Sequence, residues 1–322
     1  MSKNKYIKKS LYILTEGHTE QAYFSRISEI LSDEEEWKYS VTVEVREIVD
    51  GSKTDPVNMV REAKKSLKSY DEIWVVFDKD RERDEQNLQA ISLACKSKIK
   101  VAFSSVSFEE WVLLHFEKST TSFDRSDCES RGEKCICNGK TCISTYIKKN
   151  YYPTYLKGKS KLYDELSDKR NIALEYAAWL KYYHLQNQLI TDFHLQNPYT
   201  DVDILVAQLF ELPTIRYEKM NLDFLFDGVY FCVTGYSTAN NVITVSIKAT
   251  NNSKKSFIFN NAQQNIKLLN NNNTELDYTI SPTQIISQGE EKMVNLCFIT
   301  NIPFQASKLK FLTNSECVYI EL

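Results

Sequence analysis

The sequence predicts two domains of different class. The first, about residues 1–212, is an α/β domain on a small, mainly parallel sheet flanked by helices, with helical additions. The second, residues 215–322, is an all-β sandwich. Three observations carry this. Up to about Leu212, short apolar runs rich in β-branched residues alternate with segments of helical periodicity. Beyond Pro213 the chain alternates apolar and polar residues in short runs separated by turn residues. The 322 residues are 42% hydrophobic and 26% charged, an ordinary globular composition long enough for two cores. Eight Gly and six Pro exclude collagen-like and flexible-linker architectures.

Taken in order, Ser10–Leu14, Val41–Val49, Glu72–Phe77 and Ile99–Ser104 read as strands. Helices are expected between them at Glu20–Leu31, Pro56–Leu67 and Glu85–Ser97, with Phe108–Phe116 last. The first helix carries Tyr23, Phe24, Ile27, Ile30 and Leu31 on one face. A β-α-β-α-β-α-β-α order implies parallel strands joined by crossover helices. A Cys-bearing insert follows, about 118–142, then helical patterns at Ile143–Tyr151, Ser160–Gln188 and Asp201–Phe210. In the second domain the strand-like runs are Val229–Tyr236, Val242–Ala249, Ser256–Phe259, Met293–Thr300, Lys308–Leu312 and Cys317–Leu322. Asn251–Asn252, Asn260–Asn261 and the Asn270–Asn273 run separate them as turns, the pattern of an immunoglobulin-like sandwich.

The net charge of −3 argues against a partner of nucleic acid held by bulk charge, so any such contact is local. No run of 18 apolar residues exists, and the opening MSKNKYIKKSLYIL lacks a signal-peptide pattern. The expectation is a cytoplasmic protein with no membrane partner; a homo-oligomer is compatible with the sequence. Eight Cys are too sparse for a disulfide scaffold.

Several chemistries lack their motifs. There is no G-x-G-x-x-G; the Gly139–Thr141 GKT has Lys134 where a P-loop needs its first Gly; and neither H-E-x-x-H nor G-x-S-x-G occurs. What remains is a set of acids at predicted strand ends. The first strand runs into TEGHTE, where Gly17 allows a sharp turn, Thr19 is the expected N-cap, and Glu16 reaches the carboxyl edge where open α/β sheets place ligands. The third strand ends in Asp78-Lys79-Asp80, and residues two apart on an extended chain point the same way. Carboxylates crowded at one rim raise one another's pKa unless a cation sits among them. Hard oxygen ligands suit Mg2+ or Mn2+, and the matching chemistry is phosphoryl transfer. The bland alternative is helix-end and turn acids.

Four ordered strings carry a resemblance: LTEGHTEQAYF at Leu14–Phe24, DEIWVVFDKD at Asp71–Asp80, SFEEWVLLHF at Ser107–Phe116 and NPYTDV at Asn197–Val202. Over about residues 10–212 the chain resembles the RloB/AbiLii-like family. The resemblance implies a Toprim fold, with Glu16 as the catalytic glutamate, a general acid/base or metal ligand, and Asp78 and Asp80 as the D-x-D metal ligands. It implies Glu109 as a further site residue and puts Glu20 and His115 on motif positions; for His115 a core role is an equal reading. It also implies a defence nuclease of an anti-phage abortive-infection system, cutting RNA, tRNA among the candidates, or DNA, beside an ABC-like ATPase partner.

Two local features add to this, of which the Cys-bearing insert is no part of the family pattern. Residues 118–161 hold ten basic residues against four acids, a net of +6, with Lys148, Lys149, Lys157, Lys159 and Lys161 interleaved by Tyr151, Tyr152 and Tyr155. This reads either as a nucleic-acid surface with stacking tyrosines or as a solvated face with tyrosines packed inward. Cys128, Cys135, Cys137 and Cys142, spaced C-x6-C-x-C-x4-C, read either as a structural Zn2+ site or as free or redox-labile thiols. Residues 215–322 hold nine basic and nine acidic residues, so the second domain is neutral, a partner-binding surface by expectation. The rival to a nuclease is a non-catalytic adaptor for an ATPase or nucleic acid. Topoisomerase-like rejoining would need a nucleophilic Tyr that the sequence does not single out.

Overall fold

A computed structural model describes residues 8–34, 36–46, 55–79, 84–128, 137–187, 192–259, 266–279, 284–300 and 302–322. The chain divides into two compact units, Met1–Phe210 and Glu211–Leu322.

In the first unit β1 (Lys9–Thr15), β2 (Tyr39–Val45), β3 (Glu72–Asp78) and β4 (Lys100–Ser105) are parallel neighbours in the order β2-β1-β3-β4. Strands buried on both faces read as unbroken apolar runs, as Leu11–Leu14 and Ile73–Phe77 do. α1 (His18–Ser32) joins β1 to β2 and buries Tyr23, Phe24, Ile27 and Leu31. α2 (Pro56–Lys65) starts with two strong signals: the Asp55 carboxylate accepts the Val57 N–H at 2.9 Å, and Pro56 fills the first turn. With α3 (Asp84–Lys96), it covers the face bearing Tyr12, Leu14, Ile73, Val75 and Phe77. Strand order reverses between β1 and β3, since β1 leads to β2 on one side while β3 lies on the other. That makes their carboxyl ends a switch point, the crevice where open α/β sheets bind ligands.

α4 (Glu109–Leu114) and α5 (Ile143–Asn150) follow β4, flanking the insert. The single helix expected over Ser160–Gln188 is divided: α6 (Leu162–Leu166), a 3-10 turn at Ser167–Lys169, and α7 (Arg170–Asn187). The NPYTDV string forms a fifth strand, β5 (Tyr199–Thr200), antiparallel to β4, before α8 (Val202–Leu209). Lys181 of α7 ties it to α8 through Asp203 (2.7 Å) and to Asp201 just before it (3.2 Å).

The second unit is all β. Eleven strands are described: β6 (Thr214–Glu218), β7 (Phe224–Phe226), β8 (Val229–Ala239), β9 (Val242–Thr250), β10 (Phe257–Phe259), β11 (Ile266–Asn270), β12 (Glu275–Thr279), β13 (Gln284–Ile286), β14 (Glu291–Ile299), β15 (Ala306–Leu312) and β16 (Glu316–Glu321). Nine follow the order β6-β16-β15-β11-β12-β14-β9-β8-β7, and β10 pairs with β13. The β8–β9 hairpin turns on Asn240 and Asn241, both in the left-handed region, as a two-residue turn of matching twist requires. β12 hydrogen-bonds to β11 through Leu276 and Asp277 and to β14 through Tyr278 and Thr279, so it belongs to both halves of the ladder. Side chains from both halves meet in one core, where the Phe311 ring of β15 lies 5.4 Å from Phe231 of β8. Asn251, expected as a turn residue, is fully buried and bridges the carbonyls of Lys255 and Ile286.

Candidate active site

The switch point opens into a cavity of about 450 Å³ lined by Glu16, Gly17, His18, Thr19, Glu20, Asp78, Phe108, Glu109, Lys157 and Gly158. Glu16 continues the β1 ladder by donating its N–H to the Val76 carbonyl at 2.9 Å, which brings it beside the end of β3. There its Oε2 accepts the backbone N–H of Asp78 at 3.0 Å.

Gly17 holds the N-cap position of α1 in an extended conformation, so its use is close approach rather than a special turn. A Cβ there would stand 2.5 Å from Glu20 Oε2. Glu20, 4% exposed in the first helical turn, is therefore folded back over residue 17. Thr19 is not the cap: its Oγ1 accepts the N–H of Gly158 at 2.9 Å and binds a distant loop to the start of α1. Gly158 has φ near +70, a conformation costly for any side chain, which suits glycine at the tip of the loop bearing Lys157.

The fourth carboxylate comes from α4. Glu109, 2% exposed, accepts the hydroxyls of Ser107 (2.7 Å) and Ser126 (2.8 Å) on Oε2 and of Tyr155 (2.8 Å) on Oε1. Lys157 Nζ stands 3.3 Å from the same Oε1. Burial pushes the Glu109 carboxyl up, yet the Lys157 ammonium and the three hydroxyls hold it below the ordinary carboxylate value. The same lysine pulls its neighbours down too, but not enough to offset burial and crowding. Burial first, then Glu109 and Glu16, push Glu20 up to about 7. Burial, then Glu20, Glu16 and Glu109, push Asp78 well above its ordinary value. Among the described residues nothing hydrogen-bonds to the buried Oδ1 of Asp78. An orphaned carboxylate oxygen amid crowded carboxyls is the donor set a divalent cation suits. The separations are looser than a finished site: among the described residues, three ligand atoms all within 4.8 Å of one another occur at Cys128, Cys137 and Cys142. Asp80 and Cys135 lie outside the described residues.

His115 does not line the cavity. It is 1% exposed, its Nδ1 bonds to the Trp111 carbonyl at 2.9 Å, and its ring meets the Trp111 ring edge-on. Burial pushes it down to about 4, so it is a neutral core histidine. The basic segment divides too. Lys157, with 42% of its side chain exposed, belongs to the cavity; Lys159 pairs with Glu165 at 2.8 Å; Lys149 and Lys161 are exposed, and Lys148 is half-buried. Of the three tyrosines, Tyr155 is buried against Glu109, while Tyr151 donates to Glu117 and stacks on Phe116. Ser107 and Ser126 are not singled out by the sequence, though Ser107 sits in a motif string; Tyr155 is, and of its two readings the structure shows the inward-packed one. His18, at the exposed mouth, lies inside the E-G-x-x-E string and could have been read from it.

The fold and site define an α/β protein whose parallel sheet gathers acids at its switch point. Residues 11–209 match the family described as RloB-like protein, and the chain belongs to that family. No curated protein matches it in sequence. Among solved structures, the yjhA protein from Bacillus subtilis aligns at 11% identity and TM-score 0.27, covering 33% of this chain and 98% of that one. A β-glucosidase from Kluyveromyces marxianus aligns at 10% identity and TM-score 0.19, covering 84% of this chain and 30% of that one. At those scores neither likeness bears on the fold.

Proposed function

We propose that the protein is a Mg2+- or Mn2+-dependent, Toprim-type nuclease that cleaves phosphodiester bonds of RNA or DNA as the cytoplasmic effector of an anti-phage abortive-infection system, together with an ABC-like ATPase. The observation that carries it is the crowding of Glu16, Glu20, Asp78 and Glu109 around one cavity, with a lysine beside them and one carboxylate oxygen left without a hydrogen bond. The acids at the ends of adjacent parallel strands support the Toprim reading of the first unit. The shared Phe231–Phe311 core and the double pairing of β12 support the immunoglobulin-like sandwich reading of the second.

In this reading Glu16 and Asp78, with Asp80 by family resemblance, hold the ion, which when bound supplies charge neutralisation and polarisation of a phosphoryl oxygen. The chain's own groups do the rest. Glu20, which burial and its neighbours push up to about 7 in the metal-free protein, is the carboxyl placed to exchange a proton. Lys157 offers its ammonium to a phosphate at the cavity mouth, and Glu109 positions that ammonium. Lys148, Lys149 and Lys161 extend the basic surface along a bound strand.

The adaptor reading is favoured by one observation, that the described carboxylates do not converge as closely as the thiols. Incubation with Mg2+ or Mn2+ and a panel of tRNA, single-stranded DNA and plasmid separates the two. Metal-dependent products that Asp78→Asn abolishes are expected. Binding without any cleavage, with the ATPase present, would establish the adaptor.

A further inference from the structure

A second constellation lies outside the cavity, in the insert. Cys137 Sγ stands 3.5 Å from Cys128 Sγ and 3.2 Å from Cys142 Sγ, and all three lie within 4.8 Å of one another. Such spacings are too long for a disulfide of about 2.05 Å. They approach the edge of a tetrahedron with Zn–S bonds of about 2.3 Å, roughly 3.8 Å.

The backbone builds this convergence. Arg125 and Cys142 form a parallel bridge, in which Asp124 and Arg125 N–H donate to Thr141 O at 2.8 and 3.1 Å and Ile143 N–H to Arg125 O at 3.2 Å. Between the second and third thiols the chain reverses at Asn138 and Gly139, both left-handed, and Lys140 N–H closes the turn on Cys137 O at 2.9 Å. A Cβ on Gly139 would stand 3.1 Å from the backbone of Tyr146, so this turn is packed against α5. Cys128 and Cys142 are buried, and Cys142 is the N-cap of α5, where the helix dipole favours a thiolate.

We propose that Cys128, Cys137 and Cys142 bind a structural Zn2+ as thiolates, their protons passing to solvent as the ion binds. Soft sulfur ligands select zinc over the hard cations suited to the carboxylate cavity. The ion's task is visible two residues before Cys128. Ser126 donates to Glu109 and accepts from Lys157, while its carbonyl accepts the Ser144 N–H at 3.0 Å. Zinc therefore fixes the segment that holds Glu109 and Lys157 in place, and Ser126 is a positioning residue. The proposal holds whether or not the cavity cuts nucleic acid, and it rests on the three described thiols alone.

The test uses the full chain, untagged and purified without chelator. Elemental analysis should find about one zinc per chain. It should fall by at least about tenfold in Cys137→Ser and Cys142→Ser and stay unchanged in Cys95→Ser, whose thiol is exposed and elsewhere. Replacement by Co2+ should give thiolate-to-metal charge-transfer and tetrahedral ligand-field bands, a readout that serves even if the variants fold poorly. Chelation should speed hydrogen exchange over residues 124–128 and 141–144. Zinc-free wild-type protein that takes up neither metal, zinc retained in both variants, or a Cys137–Cys142 disulfide in freshly purified protein would each overturn the proposal.

Discussion

The backbone N–H of Asp78 donates to Glu16 Oε2 at 3.0 Å, so the main chain of β3 fixes the carboxylate delivered by β1. One carboxylate oxygen is thereby oriented without a cation, while Asp78 Oδ1 stays buried without a hydrogen bond among the described residues. The pair is preorganised on one side and electrostatically strained on the other.

Asp78→Asn keeps the N–H that orients Glu16 and removes one of the crowded, buried carboxyls. We expect metal-dependent cleavage to fall by at least about 10²-fold while the metal-free protein gains thermal stability. Glu16→Gln should lose activity similarly and still accept the Asp78 N–H. Cleavage rates beside calorimetric midpoints check both; a destabilised, fully active Asp78→Asn protein would contradict the expectation.

Tyr155→Phe removes one hydroxyl from the buried, charged Glu109 and little volume. A hydrogen bond to a charged group contributes about 2 kcal/mol, so urea unfolding should show a loss of that order. The Glu109 carboxyl should titrate higher in the variant, which carboxyl NMR resolves. An unchanged titration would mean that Lys157 and the two serines suffice.

The sequence makes some of this site readable and leaves the rest dark for a physical reason. Glu16 and Asp78 are legible because a buried strand ending in a turn advertises its carboxyl edge, and Gly17 marks the crowding there. Ser126, Tyr155 and the Gly158–Thr19 bond carry no such signal, since loops bring them to Glu109 and α1 across long stretches of chain. Thr19 read as a cap because its type suits one, yet its hydroxyl serves a tertiary bond. Likewise Lys157 is visible as charge, but its pairing with Glu109 depends on a fold that periodicity does not specify. The two-residue strand β5 is too short for any alternation to announce it.

His115 makes stability depend on pH. Burial pushes it down to about 4 from an ordinary 6.5, with Lys169 pushing the same way and Asp168 opposing. The unfolded chain then binds more protons, so this contribution is fully present above about pH 6.5 and is lost as pH falls toward 4, by up to about 3 kcal/mol. His115→Leu should flatten the pH dependence of the unfolding midpoint between pH 4 and 6.5, whatever it does to the midpoint at neutral pH. An undiminished slope would assign the dependence to other groups.

Gly17→Ala separates stability from function most sharply. The position is extended and alanine adopts it without strain, so backbone entropy alone would stabilise the fold by about 0.5 kcal/mol. The added Cβ, however, would stand 2.5 Å from Glu20 Oε2, and the side chain must yield because its carboxylate is the mobile partner. Swinging Glu20 away relieves its repulsion with Asp78 and leaves the α1 core of Tyr23, Phe24 and Ile27 untouched. The expected outcome is a midpoint within about 1 kcal/mol of wild type, with cleavage lowered by at least about tenfold. If Glu20 takes no part in the chemistry, Gly17→Ala and Glu20→Gln will both cut at the wild-type rate. If it does, Glu20→Gln will be impaired and adding Gly17→Ala to it will cost little more, because the two changes act on one carboxylate.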